Sequence, residues 1–281
     1  MLELPEVEVL RKDLEKEVVG KRVKDVAVQT AGIVRPLHRN RPDFVKALEG
    51  RKLDAVRRRG RVLFLDLDED LTWVLDAGDQ GSVHRETANE PPGPDTHLIV
   101  SFTIGGALHL SDAGDEVTAR TGVVPTAEAL EAAGVSPDAL DPLDDNPTWM
   151  EFGRFLHSSG KQLKLVLTDP EFILGIGPVY SDEILWESGL RHDRPADSLS
   201  TQEVRRLYRA MQEIIHTAIK QRGSSLDDTE AETAVDDEGG VAEHLRVYGR
   251  TGEPCIRCRR PIVRTRIKKG IYTYHCERCM I

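Results

Sequence analysis

The chain has 281 residues, 39% hydrophobic, and carries 48 acids against 38 bases for a formal net charge of −10. That length suits two domains with proper cores. No run of ~18 apolar residues occurs, so neither a membrane span nor a secretory leader is expected. An acidic balance is unusual for a protein that holds a polyanion and lowers the expected nonspecific affinity, although basic side chains can still gather on one face; salt adaptation is a competing source of the acidity.

The chain opens Met1-Leu2-Glu3-Leu4-Pro5-Glu6-Val7-Glu8. Val7, Leu10, Leu14 and Val18 recur at helical spacing and predict a buried amphipathic helix. Pro5 suits its first turn, and Glu3 and Glu6 suit the positive end of its dipole. A β-rich stretch follows. Strands are predicted at 61–67, 71–75, 98–104 and 107–110, and their alternation with glycine turns points to a β-sandwich. Arg57, Arg58, Arg59 and Arg61 form the clearest basic cluster, which a solvated strand entrance would also explain.

In the middle, Leu163, Val166 and Leu167 fit one helix and Val179, Ile184 and Leu185 the next, with Gly175 and Gly177 punctuating the turn. Lys161 and Lys164 are candidate phosphate contacts or an ordinary solvated face. A further helix is predicted over 201–222. An acidic, small-residue segment then runs through Asp227, Asp228, Glu230, Glu232, Asp236, Asp237 and Glu238. It reads as a solvated loop, with repulsion of DNA and capture of a basic protein partner as alternatives.

All four cysteines lie near the C-terminus: Cys255, Cys258, Cys276 and Cys279, spaced C-x2-C-x17-C-x2-C. Two such knuckles read as a zinc site with four thiolates around one ion, disulfides being the competing reading that a cytoplasmic chain disfavours. Four protein ligands close the site, which makes its role structural. Between the knuckles, 261–267 alternates as a strand, Gly270 turns it, and 271–275 returns.

The opening heptad, the block Gly175-Ile-Gly-Pro-Val-Tyr-Ser-Asp-Glu-Ile-Leu185 and the ribbon entry Val247-Tyr-Gly-Arg-Thr-Gly-Glu-Pro-Cys255 resemble the formamidopyrimidine-DNA glycosylase/endonuclease VIII family over nearly the whole chain. The resemblance implies an α+β fold in three parts. These are a leading helix with a β-sandwich domain (1–135), a helix–two-turn–helix domain ending in the acidic loop (136–240), and a zinc ribbon (241–281). It also implies a monomer that binds damaged or distorted duplex DNA in the cytoplasm or nucleoid. Glu3 would be the general acid that opens the deoxyribose ring, and Glu6 would support the first helix. Arg61 would take the place of a lysine that contacts the lesion-flanking phosphate. Gly177, Tyr180, Lys161 and Lys164 would serve the helix–two-turn–helix, and Lys268 and Lys269 the ribbon.

Several positions depart from the family pattern. The family's nucleophile is a proline amine exposed by loss of the initiator Met, and Leu2 stands in its place. Met removal before leucine is not expected, and a Met1 amine would lie about 3.5 Å too far out; misplacement by even ~1 Å can cost about a hundredfold in rate. Asp79 replaces an intercalating methionine, Asp115 and Glu116 replace an arginine–aromatic wedge, Pro178 replaces a phosphate-binding asparagine, and Ile271 replaces the ribbon arginine. Base flipping needs something to fill the vacated stack. The expected function is therefore a divergent DNA-binding member with Schiff-base glycosylase and lyase activity lost or strongly reduced. One alternative is an active base-excision glycosylase that works through Glu3. The other is a scaffold redeployed toward a protein or small-molecule ligand.

Overall fold

The computed structural model describes residues 2–86, 92–221 and 245–281. They fall into two compact units, one built from residues up to 137 and the other from 138–221 and 245–281.

The first unit begins with helix α1 (Leu4–Val18). Glu6 Oε2 accepts from the Glu3 amide at 2.8 Å, closing one side of a capping box at its N-terminus. Val7, Leu10, Leu14 and Val18 are buried on one face, as their spacing predicts. Strand β1 (Val23–Val28) and helix α2 (Arg41–Leu48) follow. Then come β2 (Leu53–Arg59), β3 (Val62–Leu67), β4 (Leu71–Asp76), β5 (Gly81–Glu86), β6 (Thr96–Phe102), β7 (Ala107–Asp112), β8 (Arg120–Pro125) and the short helix α3 (Ala129–Ala132). The strands make two four-stranded antiparallel sheets, ordered β1-β6-β7-β5 and β2-β3-β4-β8. Val26, Leu98, Val100 and Leu110 of one sheet and Leu53, Leu63, Leu65 and Trp73 of the other share a core with α1, the expected sandwich. Strand β3 is apolar on both faces because Val62 and Phe64 enter a second small core with Val74, Ala129 and Ala133.

The second unit contains α4 (Trp149–His157), α5 (Leu163–Leu167), α6 (Pro178–Ser188) and α7 (Thr201–Gln221). Thr148 and Glu151 form a reciprocal capping box on α4. Helix α6 starts at Gly177, has Pro178 in its first turn and ends at the left-handed Gly189. Helix α7 buries Val204, Leu207, Met211 and Ile215. The antiparallel hairpin β9 (Val263–Lys268) and β10 (Ile271–His275) belongs to this same unit and packs on α6. Gly270 closes it at φ 79°, a conformation that favours glycine. Among the described residues, no helix is long and apolar enough to cross a membrane.

Candidate functional site

In the first unit, Leu2 is half-buried and packs against the sandwich core. Glu3, next to it, is only 1% exposed. Met1 lies outside the described residues, as does the acidic segment Asp227–Glu238.

The arginine cluster spans the β2–β3 hairpin, and the structure separates its members. Arg57 is exposed and makes a bidentate pair with Asp66, both contacts at 2.6 Å. Arg58 corrects the expectation of a phosphate contact: its side chain is buried, and Nε donates to Glu8 at 2.8 Å. The pleat turns alternate side chains to opposite faces, so Arg57 and Arg58 cannot both look outward. Burial pushes the Glu8 carboxyl up, but Arg11 and Arg58 outweigh it and hold Glu8 below the usual range. Arg59 is half-buried at the end of β2. Arg61 is partly exposed and meets Asp79 Oδ1 at 3.2 Å and 3.3 Å.

Asp79 sits in a tightly determined loop. A Cβ on Gly81 would lie 1.6 Å from the Ala77 carbonyl oxygen, so only glycine fits there. The Asp79 amide donates to Thr118 Oγ1 at 2.8 Å. Thr118 and Ala119 in turn donate their amides to the buried Asp112 carboxylate at 2.8 Å and 3.0 Å. Burial raises Asp112, and these N–H groups outweigh it and hold the carboxyl low. The loop carrying Asp79 and the loop carrying Asp115 and Glu116 are thus tied together, and the latter two carboxylates are exposed.

In the second unit, Lys161 is exposed, pairs with Asp169 at 2.6 Å and lies 5.1 Å above the Phe172 ring. Lys164 is a second correction, because it is fully buried and unavailable to a phosphate. Its ammonium donates to Asp182 at 2.7 Å and to the Pro178 carbonyl at 2.8 Å. Asp182 also accepts from Thr273 Oγ1 at 2.6 Å and the Tyr274 amide at 2.9 Å, linking α5, α6 and β10. Burial pushes the Asp182 carboxyl up, against the pull of Lys164. Tyr180 is likewise buried, so its ring is a core residue of α6. Gly177 caps α6, and its backbone is already engaged. Lys268 and Lys269 are exposed at the hairpin tip.

Glu183, beside Asp182, escaped the sequence analysis. It is buried and accepts from the amides of Arg246, Val247 and Tyr248, each at 2.9 Å, fixing the approach to the ribbon. Burial pushes its carboxyl up as well. Two adjacent acids followed directly by the apolar run Ile184-Leu185-Trp186 were the signal available in the sequence.

The four cysteine sulfurs lie within 4.8 Å of one another. Cys255 and Cys279 are 3.9 Å apart, and Cys258 and Cys276 3.4 Å. A tetrahedron with arms of about 2.3 Å has edges of about 3.8 Å, so the set fits one thiolate-bound metal. Burial raises Cys255, but the amides of Cys258 and Arg257 pull its thiol down to about 6. Burial and the neighbouring sulfurs push Cys279 up to about 12. A divalent cation at the centre removes that conflict by favouring all four thiolates.

The sequence profile of the formamidopyrimidine-DNA glycosylase N-terminal domain matches residues 1–115, and that of the same enzyme's H2TH domain matches 139–230. The chain belongs to the formamidopyrimidine-DNA glycosylase family. It is 29% identical over 281 residues to the formamidopyrimidine-DNA glycosylase of Desulfitobacterium hafniense, with all of both chains covered. It is 33% identical to that of Heliobacterium modesticaldum, covering 99% of each. Among solved structures, the Lactococcus lactis family member complexed with abasic-site DNA superposes with a TM-score of 0.86 at 26% identity, covering 99% of both chains. A family member bound to DNA containing carbocyclic 8-oxo-G gives 0.85 at 27% identity, again over 99% of both.

Proposed function

We propose that this protein is a divergent family member that binds damaged duplex DNA and carries out the Schiff-base glycosylase and lyase reaction weakly or not at all. The observation that carries the reading is Leu2, whose half-buried side chain packs against the sandwich core where the family pattern places a nucleophilic proline. Its nitrogen is an amide in the encoded chain, and an amide nitrogen does not attack a sugar carbon. Three features support the same direction. Asp79 neutralises Arg61, Pro178 offers no N–H at the first turn of α6, and Ile271 supplies no charge on the ribbon. Solved relatives include complexes with lesion-containing DNA, which supports DNA as the partner here. The thiolate set is best suited to zinc, which would be held by Cys255, Cys258, Cys276 and Cys279 and would shape the ribbon without joining the reaction. We place the protein as a monomer at the nucleoid.

The test is borohydride trapping on an abasic duplex, alongside fluorescence anisotropy with abasic and undamaged duplexes at low and moderate salt. Preference for the abasic duplex without a trapped adduct is expected. Efficient trapping would refute the loss of imine chemistry, and no binding at low salt would refute the DNA reading. The retained, buried Glu3 favours a second reading, base release by a Glu3-activated water. Release without trapping, abolished by Glu3→Gln, would support it.

A further inference from the structure

Helices α4 and α7 pack together in the second unit, so closely that a Cβ on Gly153 would sit 3.0 Å from Val204. Their solvent side concentrates cations. Arg205, Arg206 and Arg209 are exposed on α7, in a chain whose net charge is −10. None of the three makes an ion pair or donates a side-chain hydrogen bond among the described residues. The acids nearest to them are engaged elsewhere or out of reach. Glu203 holds Arg194, and the Glu151 carboxylate accepts from the Thr148 amide and hydroxyl, both at 2.8 Å. Glu213, one turn beyond Arg209, forms no ion pair with it. The Arg205 guanidinium lies 4.2 Å above the ring of the half-buried Trp149 at the start of α4. Met150, the next residue, is 51% exposed.

We infer that this face is a docking surface for an acidic segment of a partner protein, whose carboxylates meet Arg205, Arg206 and Arg209 and whose one large apolar side chain covers Met150 beside Trp149. The inference is independent of the DNA reading. Charge complementarity carries it. Guanidinium forks pair with carboxylates through two parallel hydrogen bonds, and these three have no carboxylate of their own chain. Arg205 and Arg209 stand about 6 Å apart along one edge of the helix, so one short segment reaches both. The Trp149 ring steadies the Arg205 fork, which therefore loses little freedom on binding. Arginine, tryptophan and methionine are residue types that gather at protein interfaces, and a thioether adapts to whichever apolar side chain it meets. A second copy related by a two-fold axis would set the arginines against themselves. A nucleic acid would satisfy the charges but find no free ring for its bases, because Arg205 already covers Trp149, and it would leave Met150 in water.

The test uses the full-length, zinc-loaded protein at low salt. The probes are short fluorescein-labelled peptides rich in aspartate and glutamate, each with a single leucine, phenylalanine or tryptophan, and the same peptides with every acid replaced by its amide. Fluorescence anisotropy is expected to show binding of acidic peptides and none of their amide counterparts. Arg205→Gln/Arg209→Gln weakens that binding by about tenfold or more, the scale of losing hydrogen bonds between charged groups. Arg205→Lys/Arg209→Lys falls between, since the charge stays and the fork is lost. Met150→Ser weakens it several-fold. The ε-methyl resonance of Met150, one of four methionines, reports the site in the unsubstituted protein and shifts when peptide is added. No preference of any acidic peptide over its amide counterpart overturns the inference. So does binding that leaves the Met150 resonance in place or survives the double arginine-to-glutamine change. A dimer in sedimentation equilibrium that this change abolishes would assign the face to a second copy, and an oligonucleotide affinity that it abolishes would assign it to nucleic acid; either result overturns the inference.

Discussion

At position 2 the encoded leucine packs against the sandwich core. Leu→Pro at that position restores the residue whose amine Met removal exposes, with a terminal-amine pKa of about 8. The variant is expected to give a borohydride-trapped adduct on abasic DNA where the wild type gives none, and a gel mobility shift checks this. Position 79 makes a second residue-scale prediction. Its carboxylate occupies the Arg61 guanidinium much as a phosphate would. Exposed pairs of this kind contribute at most about 1 kcal/mol, so removal should cost little stability. Asp79→Asn is expected to tighten abasic-duplex binding a few-fold and to steepen the salt slope by about 0.9. An unchanged slope would mean Arg61 does not reach phosphate.

At the scale of elements, the buried Lys164–Asp182 pair joins α5 to α6, and Asp182 carries the link on to the hairpin through Thr273 and the Tyr274 amide. Removing one partner of such a pair leaves an uncompensated charge at a cost of about 3–5 kcal/mol. Lys164→Met should therefore lower the thermal transition sharply without altering the salt slope of DNA binding. Adding Asp182→Leu should recover only part of the loss, because Thr273 Oγ1 and the Tyr274 amide then lose their acceptor. Nothing local in the sequence distinguishes a lysine that faces solvent from one that faces an acid 18 positions later, which is why Lys164 reads as a phosphate contact until the fold is known. Arg58 misleads in the same way, since its partner is Glu8 of α1. Short-range signals were legible: the cysteine spacing, the periodicity of α1 and α7, and the apolar runs of β3 and β4. Strand β1 carries Lys24 and Asp25 in mid-run, and its pairing with β6 is visible only in three dimensions. Strand β2 was hidden because its arginines look like a basic cluster before they look like a strand.

For the whole molecule, acid and chelation should act on the second unit. His192 is held neutral by burial, aided by His275, and its pKa falls to about 4. The unfolded chain takes up that proton near the ordinary 6.5, so the stabilisation is fully present above pH 6.5 and is lost as pH falls through 4. His192→Phe is expected to flatten this part of a denaturant-midpoint-against-pH curve, while an equally steep curve would assign the acid sensitivity elsewhere. Metal binding to four thiolates is folding free energy for a small ribbon. A strong chelator should therefore lower the unfolding transition of the helical unit and leave that of the sandwich in place, which differential scanning calorimetry can resolve.

The two neighbouring acids of α6 have a kinetic consequence. The amides of Arg246, Val247, Tyr248 and Tyr274 all end on Asp182 or Glu183. Deuterium can replace those four protons only when the helix lets go of them. Segments far apart along the chain should thus exchange at one shared rate, as a single cooperative opening unit centred on α6.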